Sequence, residues 1–226
     1  GKNEVISVIK KETALVIPEI NSFEINSGYQ IDKNWIDELA LHTQVVIKKS
    51  KICYAHGRIL YSCLSKYLNE NKKLNNINIL ETGTARGFSS LCMAKALEDN
   101  NKEGKIITFD VLPHETKMLW NCIDDHDGPK SRRELLLPWN QLAERYILFH
   151  QGDTRIEMKK VKLERIHFAF LDGFHIYDDV LFEYNQVKSH QKKGDLIVFD
   201  DYTPKKYPGL VRAVDEICLN DNYEKI

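Results

Sequence analysis

The segment Ile77-Asn78-Ile79-Leu80-Glu81-Thr82-Gly83-Thr84-Ala85-Arg86-Gly87-Phe88-Ser89-Ser90 constrains the fold more than any other part of the chain. A short apolar run ends in a carboxylate, and a glycine turn then opens directly onto a helix. That helix reads through Leu91, Met93, Ala94 and Leu97, with Ser89 or Ser90 placed to cap it. Strand, tight glycine turn and helix N-terminus make the first unit of a nucleotide-binding α/β sheet. Gly83 and Gly87 let the backbone pass close to a ligand with no Cβ in the way. Glu81 puts negative charge there, which suits a ligand with hydroxyls or a positive charge better than a pyrophosphate.

From this point the chain alternates strand and helix. Strands are expected at Ile77–Glu81, Lys105–Asp110, Tyr146–Gln151, His167–Asp172 and Asp195–Asp200. Helices are expected around Leu91–Leu97, Glu115–Cys122 with Ser131–Tyr146, Arg155–Val161, Tyr177–Ser189 and Val211–Leu219. Such alternation implies a Rossmann-like parallel sheet with right-handed crossovers and helices on both faces. Ahead of it, Asn34 to about Asn69 carries Trp35, Ile36, Leu39, Ile52, Ile59, Leu60, Cys63, Leu64 and Leu68 at helical spacing, so residues 1–75 read as an extension with a helical cap and 76–226 as the sheet domain. Residues 1–32, with Val5 to Ile9 and Leu15 to Ile17 broken by Pro18 and Gly28, receive no assignment. Asp124-Asp125-His126-Asp127-Gly128-Pro129-Lys130 reads as an exposed loop between two helices. Tyr223–Ile226 reads as the start of a strand, with a final β-hairpin cut off.

At 226 residues and 42% hydrophobic content the chain suits one decorated α/β domain. A net charge of −1 offers no footprint for nucleic acid or an acidic membrane, and no run approaches the ~20 apolar residues of a span. The basic run Lys48-Lys49-Ser50-Lys51 reads as a solvated helix face. Cys53, Cys63, Cys92, Cys122 and Cys218 are scattered, with no Cys-x-x-Cys pair. They read as reduced, mostly buried thiols of a cytoplasmic protein, one that is free to form a homo-oligomer.

Each expected strand delivers an acid at or just past its carboxyl end: Glu81, Asp110, Asp153, Asp172 and the pair Asp200-Asp201. Ligands of open α/β sheets bind outside those ends, so the acids describe one crevice. Asp110 follows Gly87 by 23 residues, close to the spacing of an acid that grips ribose hydroxyls. The glycines, however, are spaced Gly-x-x-x-Gly rather than Gly-x-Gly-x-x-Gly, and with Glu81 this opposes a dinucleotide.

The ordered set Glu81-x-Gly83-x-x-x-Gly87, Asp110, Gly152-Asp153, Leu171-Asp172-Gly173-Phe174-His175 and Val198-Phe199-Asp200-Asp201-Tyr202 resembles the motifs of class I S-adenosylmethionine-dependent methyltransferases. Within that superfamily it is most similar to the metal-dependent small-molecule O-methyltransferases of the catechol, caffeoyl-CoA and macrocin types. The resemblance implies that Glu81, Gly83, Thr84 and Ser89 line the methionine portion of S-adenosylmethionine, with Gly87 in the same cofactor-binding turn. It implies further that Asp110 holds the ribose, that Asp153 and Thr154 face the adenine, and that Asp172, Asp200 and Asp201 bind a divalent ion, Mg²⁺ foremost.

Three carboxylates also make a hard, all-oxygen site on chemical grounds, suited to Mg²⁺, Mn²⁺ or Ca²⁺. His175, three residues after Asp172, is the candidate acid/base, since imidazole accepts a proton near neutral pH. Some sugar-modifying relatives carry an acid where this chain has Phe174, which throws weight onto His175 or onto metal activation alone. The expected reaction is methylation of a hydroxyl on a small sugar or phenolic acceptor, with Tyr29, Tyr54, His56 and Arg58 as candidate pocket residues. Two other readings are a nicotinamide-dependent oxidoreductase and a non-catalytic interaction module of the same fold.

Overall fold

The computed structural model describes residues 18–45, 54–221 and 223–225. The expected groups Val5 to Ile9 and Leu15 to Ile17, the basic run at Lys48–Lys51, Ile52 and Cys53 lie outside them.

Five strands run β1 (Ile77–Thr82), β2 (Gly104–Asp110), β3 (Ile147–Gln151), β4 (Phe168–Leu171) and β5 (Leu196–Phe199). Each falls within two residues of its expected bounds. All pair in parallel in the order β3-β2-β1-β4-β5. The order reverses between β1 and β4, and a crevice at the carboxyl ends of such neighbours is where doubly wound sheets bind ligands.

Three helices precede the sheet: α1 (Pro18–Ser27), α2 (Lys33–Thr43) and α3 (Ala55–Glu70). In α3, Leu60, Leu64 and Leu68 recur every fourth residue and are buried with Ile36 and Leu39 against Leu91, Phe88 and Phe168. Burial of each such side chain stabilises the fold by roughly 1.5–3 kcal/mol. The cap and the sheet therefore share one continuous core. A polar tie reinforces the contact, as the Tyr67 hydroxyl donates to Asp195 Oδ1 at 2.8 Å, just before β5.

Helix α4 (Phe88–Asp99) is buried on nearly every side, because α3 covers the face that the sheet does not. Its N-cap is Gly87, at φ 90°, and neither serine caps it. The capping role expected of Ser89 or Ser90 fails because both lie inside the first turn, where their hydroxyls reach back to Glu81.

The connection from β2 to β3 departs most from expectation. Glu115–Cys122 is not helical. Met118 bridges Lys130 in antiparallel fashion, Trp120 N–H donates to Asp125 Oδ1, and Arg86 donates to the Trp120 carbonyl. These tertiary bonds consume the backbone groups a helix would use. Ser131–Tyr146 is broken into α5 (Arg132–Leu135), a 3₁₀ turn at Leu137–Trp139 and α6 (Asn140–Tyr146), since Pro138 has no N–H to continue the ladder. Asp124–Lys130 is exposed only in part, at His126, Asp127 and Pro129. Asp124 is buried in a 3₁₀ turn (Ile123–Asp127) and pairs with His42 and Lys130.

Helices α7 (Thr154–Lys160), α8 (Tyr177–Lys188) and α9 (Pro208–Asn220) complete the described chain. Residues 223–225 form no strand. The Tyr223 hydroxyl instead donates to Gln191 Oε1 at 2.8 Å, and its ring meets Tyr184 edge-on. Cys63, Cys92, Cys122 and Cys218 form no disulfide, and among the described residues no helix is long and apolar enough to cross a membrane.

Candidate functional site

The crevice has two sides, and they treat their carboxylates in opposite ways. On the β1–β2 side, Glu81 is fully buried. It accepts from the Ser89 and Ser90 hydroxyls and, at 2.6 Å, from Thr108 Oγ1. Burial pushes its carboxyl above the usual range, and the three hydroxyls and Arg132 only partly oppose this. Glu81 and Ser89 thus bind each other beneath the turn, and Thr84 is held by Thr108.

The glycines of the turn serve the protein's own packing. A Cβ on Gly83 (φ 85°) would strike the carbonyl oxygen of Asp172, and one on Gly87 would strike Leu136. The missing Cβ atoms thus make room for the loop after β4 and for Leu136, just past α5. Ala85, between them, stands at φ 45° with its amide donating to Asp110 Oδ2.

Asp110, at the end of β2, is almost as thoroughly engaged. Its Oδ1 accepts from the Leu112 amide at 2.8 Å, and the Arg132 guanidinium lies 3.6 Å from Oδ2. Arg132 is itself buried, 2% exposed, and donates to the carbonyls of Ala85 and Leu112. It ties the glycine turn, the end of β2 and α5 into one body. Sequence reading missed it. The capping box Ser131-x-x-Glu134 could be read there, but nothing in the sequence told which of Arg132 and Arg133 turns inward. Asp153 is exposed and caps α7 by accepting from Arg155 N–H at 2.9 Å, while Thr154 beside it is buried.

The β4–β5 side holds Asp172, His175, Asp200 and Asp201. Asp172 ends β4, its amide donating to the carbonyl and hydroxyl of Thr82. Its carboxyl is pushed up to about 8 by burial, then by the charges of Asp200 and Asp201. Asp201 adopts φ 54°, a left-handed conformation that Asp tolerates better than most residues. His175 lies between, stacked on Tyr207 with ring centroids 4.2 Å apart. Its Nε2 stands 3.1 Å from Asp201 Oδ2 and 3.6 Å from Asp172 Oδ1, yet has no hydrogen-bond partner among the described residues.

By residue type the three acids suit a hard cation, and the charges of Asp200 and Asp201 are felt at Asp172. The exposed Lys206, 3.9 Å from Asp201, offsets only part of their charge. Among the described residues, no three His, Cys, Asp or Glu side chains converge as a metal cluster.

The N-terminal helices supply one residue to this side. The His56 ring lies stacked over Phe170, at 6.3 Å and 11°, and edge-on to Phe88. Burial lowers its pKa, while Asp200 and Asp201 pull the other way and so mark it as their neighbour. Of the other candidates, the Arg58 and Tyr54 side chains are committed elsewhere, and Tyr29 is tied by its backbone. Arg58 pairs with Glu24 and Asn21, the Tyr54 hydroxyl donates to Asp37, and the Tyr29 carbonyl accepts from Ser62.

Comparison with known proteins bears on the family and the fold. A family model described as "Methyltransferase domain" matches residues 80–202, more than half of the chain. Among solved structures, the chain is similar to the O-methyltransferase NovP, with a TM-score of 0.58 at 15% identity, covering 78% of this chain and 76% of that one. It is also similar to a methyltransferase of Podospora anserina bound to S-adenosylhomocysteine (TM-score 0.56, 14% identity, 93% and 89% covered). An O-methyltransferase of Bacillus cereus, again with S-adenosylhomocysteine, gives 0.53 at 15%, with 89% and 86% covered. No curated protein matches. At these identities the structural likenesses show the fold, which is that of the class I S-adenosylmethionine-dependent methyltransferases.

Proposed function

The chain belongs to the methyltransferase-domain family, and on that premise we propose that it methylates a hydroxyl oxygen of a small molecule. S-adenosylmethionine, when bound, supplies a methyl group on a sulfonium centre. The side chains of the crevice do the rest: they place the two reactants and handle the acceptor's proton.

The observation that carries the reading is the Asp172–His175–Asp201 arrangement. An imidazole nitrogen with no hydrogen-bond partner among the described residues, 3.1 and 3.6 Å from two carboxylates, can take the acceptor's proton while the carboxylates stabilise the imidazolium that results. Tyr207 holds the ring in plane by stacking. Asp172, Asp200 and Asp201 would hold a divalent cation, Mg²⁺ by preference, which when bound would polarise the acceptor hydroxyl and lower its pKa.

The donor belongs on the β1–β2 side, where Gly83, Thr84, Gly87 and Ser89 form the turn. There Asp110 can offer its remaining lone pairs to ribose hydroxyls, and Asp153 and Thr154 flank the adenine end. Glu81 acts one layer down, fixing Ser89 and Ser90 rather than touching the donor. The acceptor belongs on the other side, with His56 at its edge and a sugar or phenol as the class that offers the hydroxyl. Orientation of two bound reactants accounts for much of the acceleration, since effective molarities of about 10⁵ M or more follow from good alignment.

The test is methyl transfer from radiolabelled S-adenosylmethionine to a panel of sugars and phenols, with and without EDTA. Transfer to an acceptor hydroxyl that fails in EDTA and returns with Mg²⁺ is expected. Transfer unaffected by EDTA removes the metal from the proposal. If S-adenosylhomocysteine does not raise the melting temperature, the reading falls altogether.

A further inference from the structure

Behind Asp172 the fold buries a second acid for which the methyl-transfer reading has no task. Glu183, in the middle of α8, is 1% exposed, and its Oε1 has no hydrogen-bond partner among the described residues. A carboxyl so placed is costly to keep, because an unpaired buried polar atom forfeits its hydration. Burial pushes it up to about 7, with the Thr82 hydroxyl opposing as a hydrogen-bond donor.

Thr82, the last residue of β1, explains the placement. Its Oγ1 accepts from the amides of Asp172, at 3.2 Å, and Gly173, at 3.1 Å. A hydroxyl has two lone pairs and one proton, so with both lone pairs engaged only the proton remains. Beside Gly173, Thr82 Oγ1 and Glu183 Oε1 border the same point, and the Glu183 carboxyl is buried there with an unfilled acceptor. Gly173 keeps the acid close, since a Cβ there would run into Glu183 Oε1 and would also crowd Thr82. With that proton assigned to Glu183, the polarity would run one way, from the two loop amides through Thr82 to the carboxyl.

We propose that Glu183 is a positioning residue: by holding the Thr82 hydroxyl in the orientation that accepts both loop amides, it fixes the Asp172–Gly173 turn and aims Asp172 at the acceptor side. The proposal rests on the methyl-transfer reading for its catalytic consequence, though not for its geometry. Without the carboxyl, the Thr82 proton can rotate toward the amides, one lone pair is lost to them, and the turn loosens. A misplacement of about 1 Å at a reacting group costs on the order of 10²-fold in rate.

Four variants test it: Glu183→Leu, Glu183→Gln, Thr82→Val and Thr82→Ser. Each is read by kcat and KM, by affinity for S-adenosylhomocysteine, and by hydrogen exchange of the Gly173 amide. Glu183→Leu and Thr82→Val are expected to lower kcat by about 10- to 100-fold and to speed Gly173 exchange. Affinity for S-adenosylhomocysteine should stay within about threefold, a factor worth under 1 kcal/mol. Gln still accepts a proton and Ser still offers one, so both conservative variants should restore kcat and exchange.

A folded Glu183→Leu with wild-type kcat and exchange overturns the proposal, as does a Glu183→Gln that behaves like Leu. Should Glu183→Leu fail to fold, the Thr82→Val and Thr82→Ser pair decides by the same criteria. If the wild type transfers no methyl group while the exchange pattern holds, the positioning geometry stands and the methyl-transfer reading is what falls.

Discussion

The two sides of the crevice use the same residue type to opposite ends. Around β1 and β2, Glu81 and Asp110 are engaged by hydroxyls, amides and the buried Arg132 guanidinium. Past β4 and β5, Asp172, Asp200 and Asp201 crowd one another, with His175 as the nearest counter-group. A satisfied carboxylate holds structure in place. One left in its neighbours' field is a source of chemistry, since any cation or proton brought there is bound strongly. The difference teaches that acids aligned at strand ends are not one functional class.

The largest expected effect separates the sides by function. Asp172→Ala should lower kcat by about 10³-fold, within the range for loss of a group that assists proton transfer, and leave affinity for S-adenosylhomocysteine unchanged in calorimetry. Loss of both would mean that the two sides do not divide donor from acceptor chemistry.

Next, Arg132→Leu should cost roughly 3–5 kcal/mol in denaturant unfolding, because it strands Asp110 in a buried site without its cation. A milder loss would show that the β1–β2 side is less dependent on that pair than its burial implies.

The pH dependence sharpens the contrast on the acidic side. Asp172 and Glu183, raised in the folded state to about 8 and about 7, hold protons that the unfolded chain releases from about pH 4 upward. Their contribution to stability is thus fully present below the unfolded pKa and falls as pH rises, until it is lost through the folded pKa. Thermal melts should show a decline from about pH 5 to about pH 8. Asp172→Asn, which cannot ionise, should flatten that slope and raise the melting temperature at the alkaline end while lowering activity. A slope unchanged in Asp172→Asn would show that the β4–β5 acids are better compensated than their placement indicates.

The smallest expected effect lies in the connection that carries Arg132. Ser131→Ala removes the hydroxyl that accepts from Glu134 N–H and should cost about 1 kcal/mol with kcat unaltered.

Much of this was legible in the chain. Apolar runs such as Lys105-Ile106-Ile107-Thr108-Phe109 have one fate in an alternating α/β sequence, and all five strands lie where periodicity puts them. The acids were visible as a set, because each comes after such a run. Their division into satisfied and crowded was not, because it depends on partners far along the chain. Thr108 is 27 residues from Glu81, Arg132 is 22 from Asp110, and Glu183 is 101 from the Thr82 it faces. The segment from Glu115 to Tyr146 was misread for the same reason. Its helical spacing is real, but Arg86 and Asp125 take the backbone groups around Trp120, and Pro138 splits the helix expected at Ser131–Tyr146.

By itself, then, the sequence determined the parallel sheet, the glycine turn after β1 and the row of acids at the carboxyl ends, since these depend on local patterns of apolarity and backbone freedom. Only the tertiary structure decided what Gly83 and Gly87 make room for, which arginine turns inward, and which carboxylates are left uncompensated beside His175. Those depend on burial and on charges brought together across the fold, and pKa values and hydrogen-bond polarity are set by such neighbours rather than by residue identity.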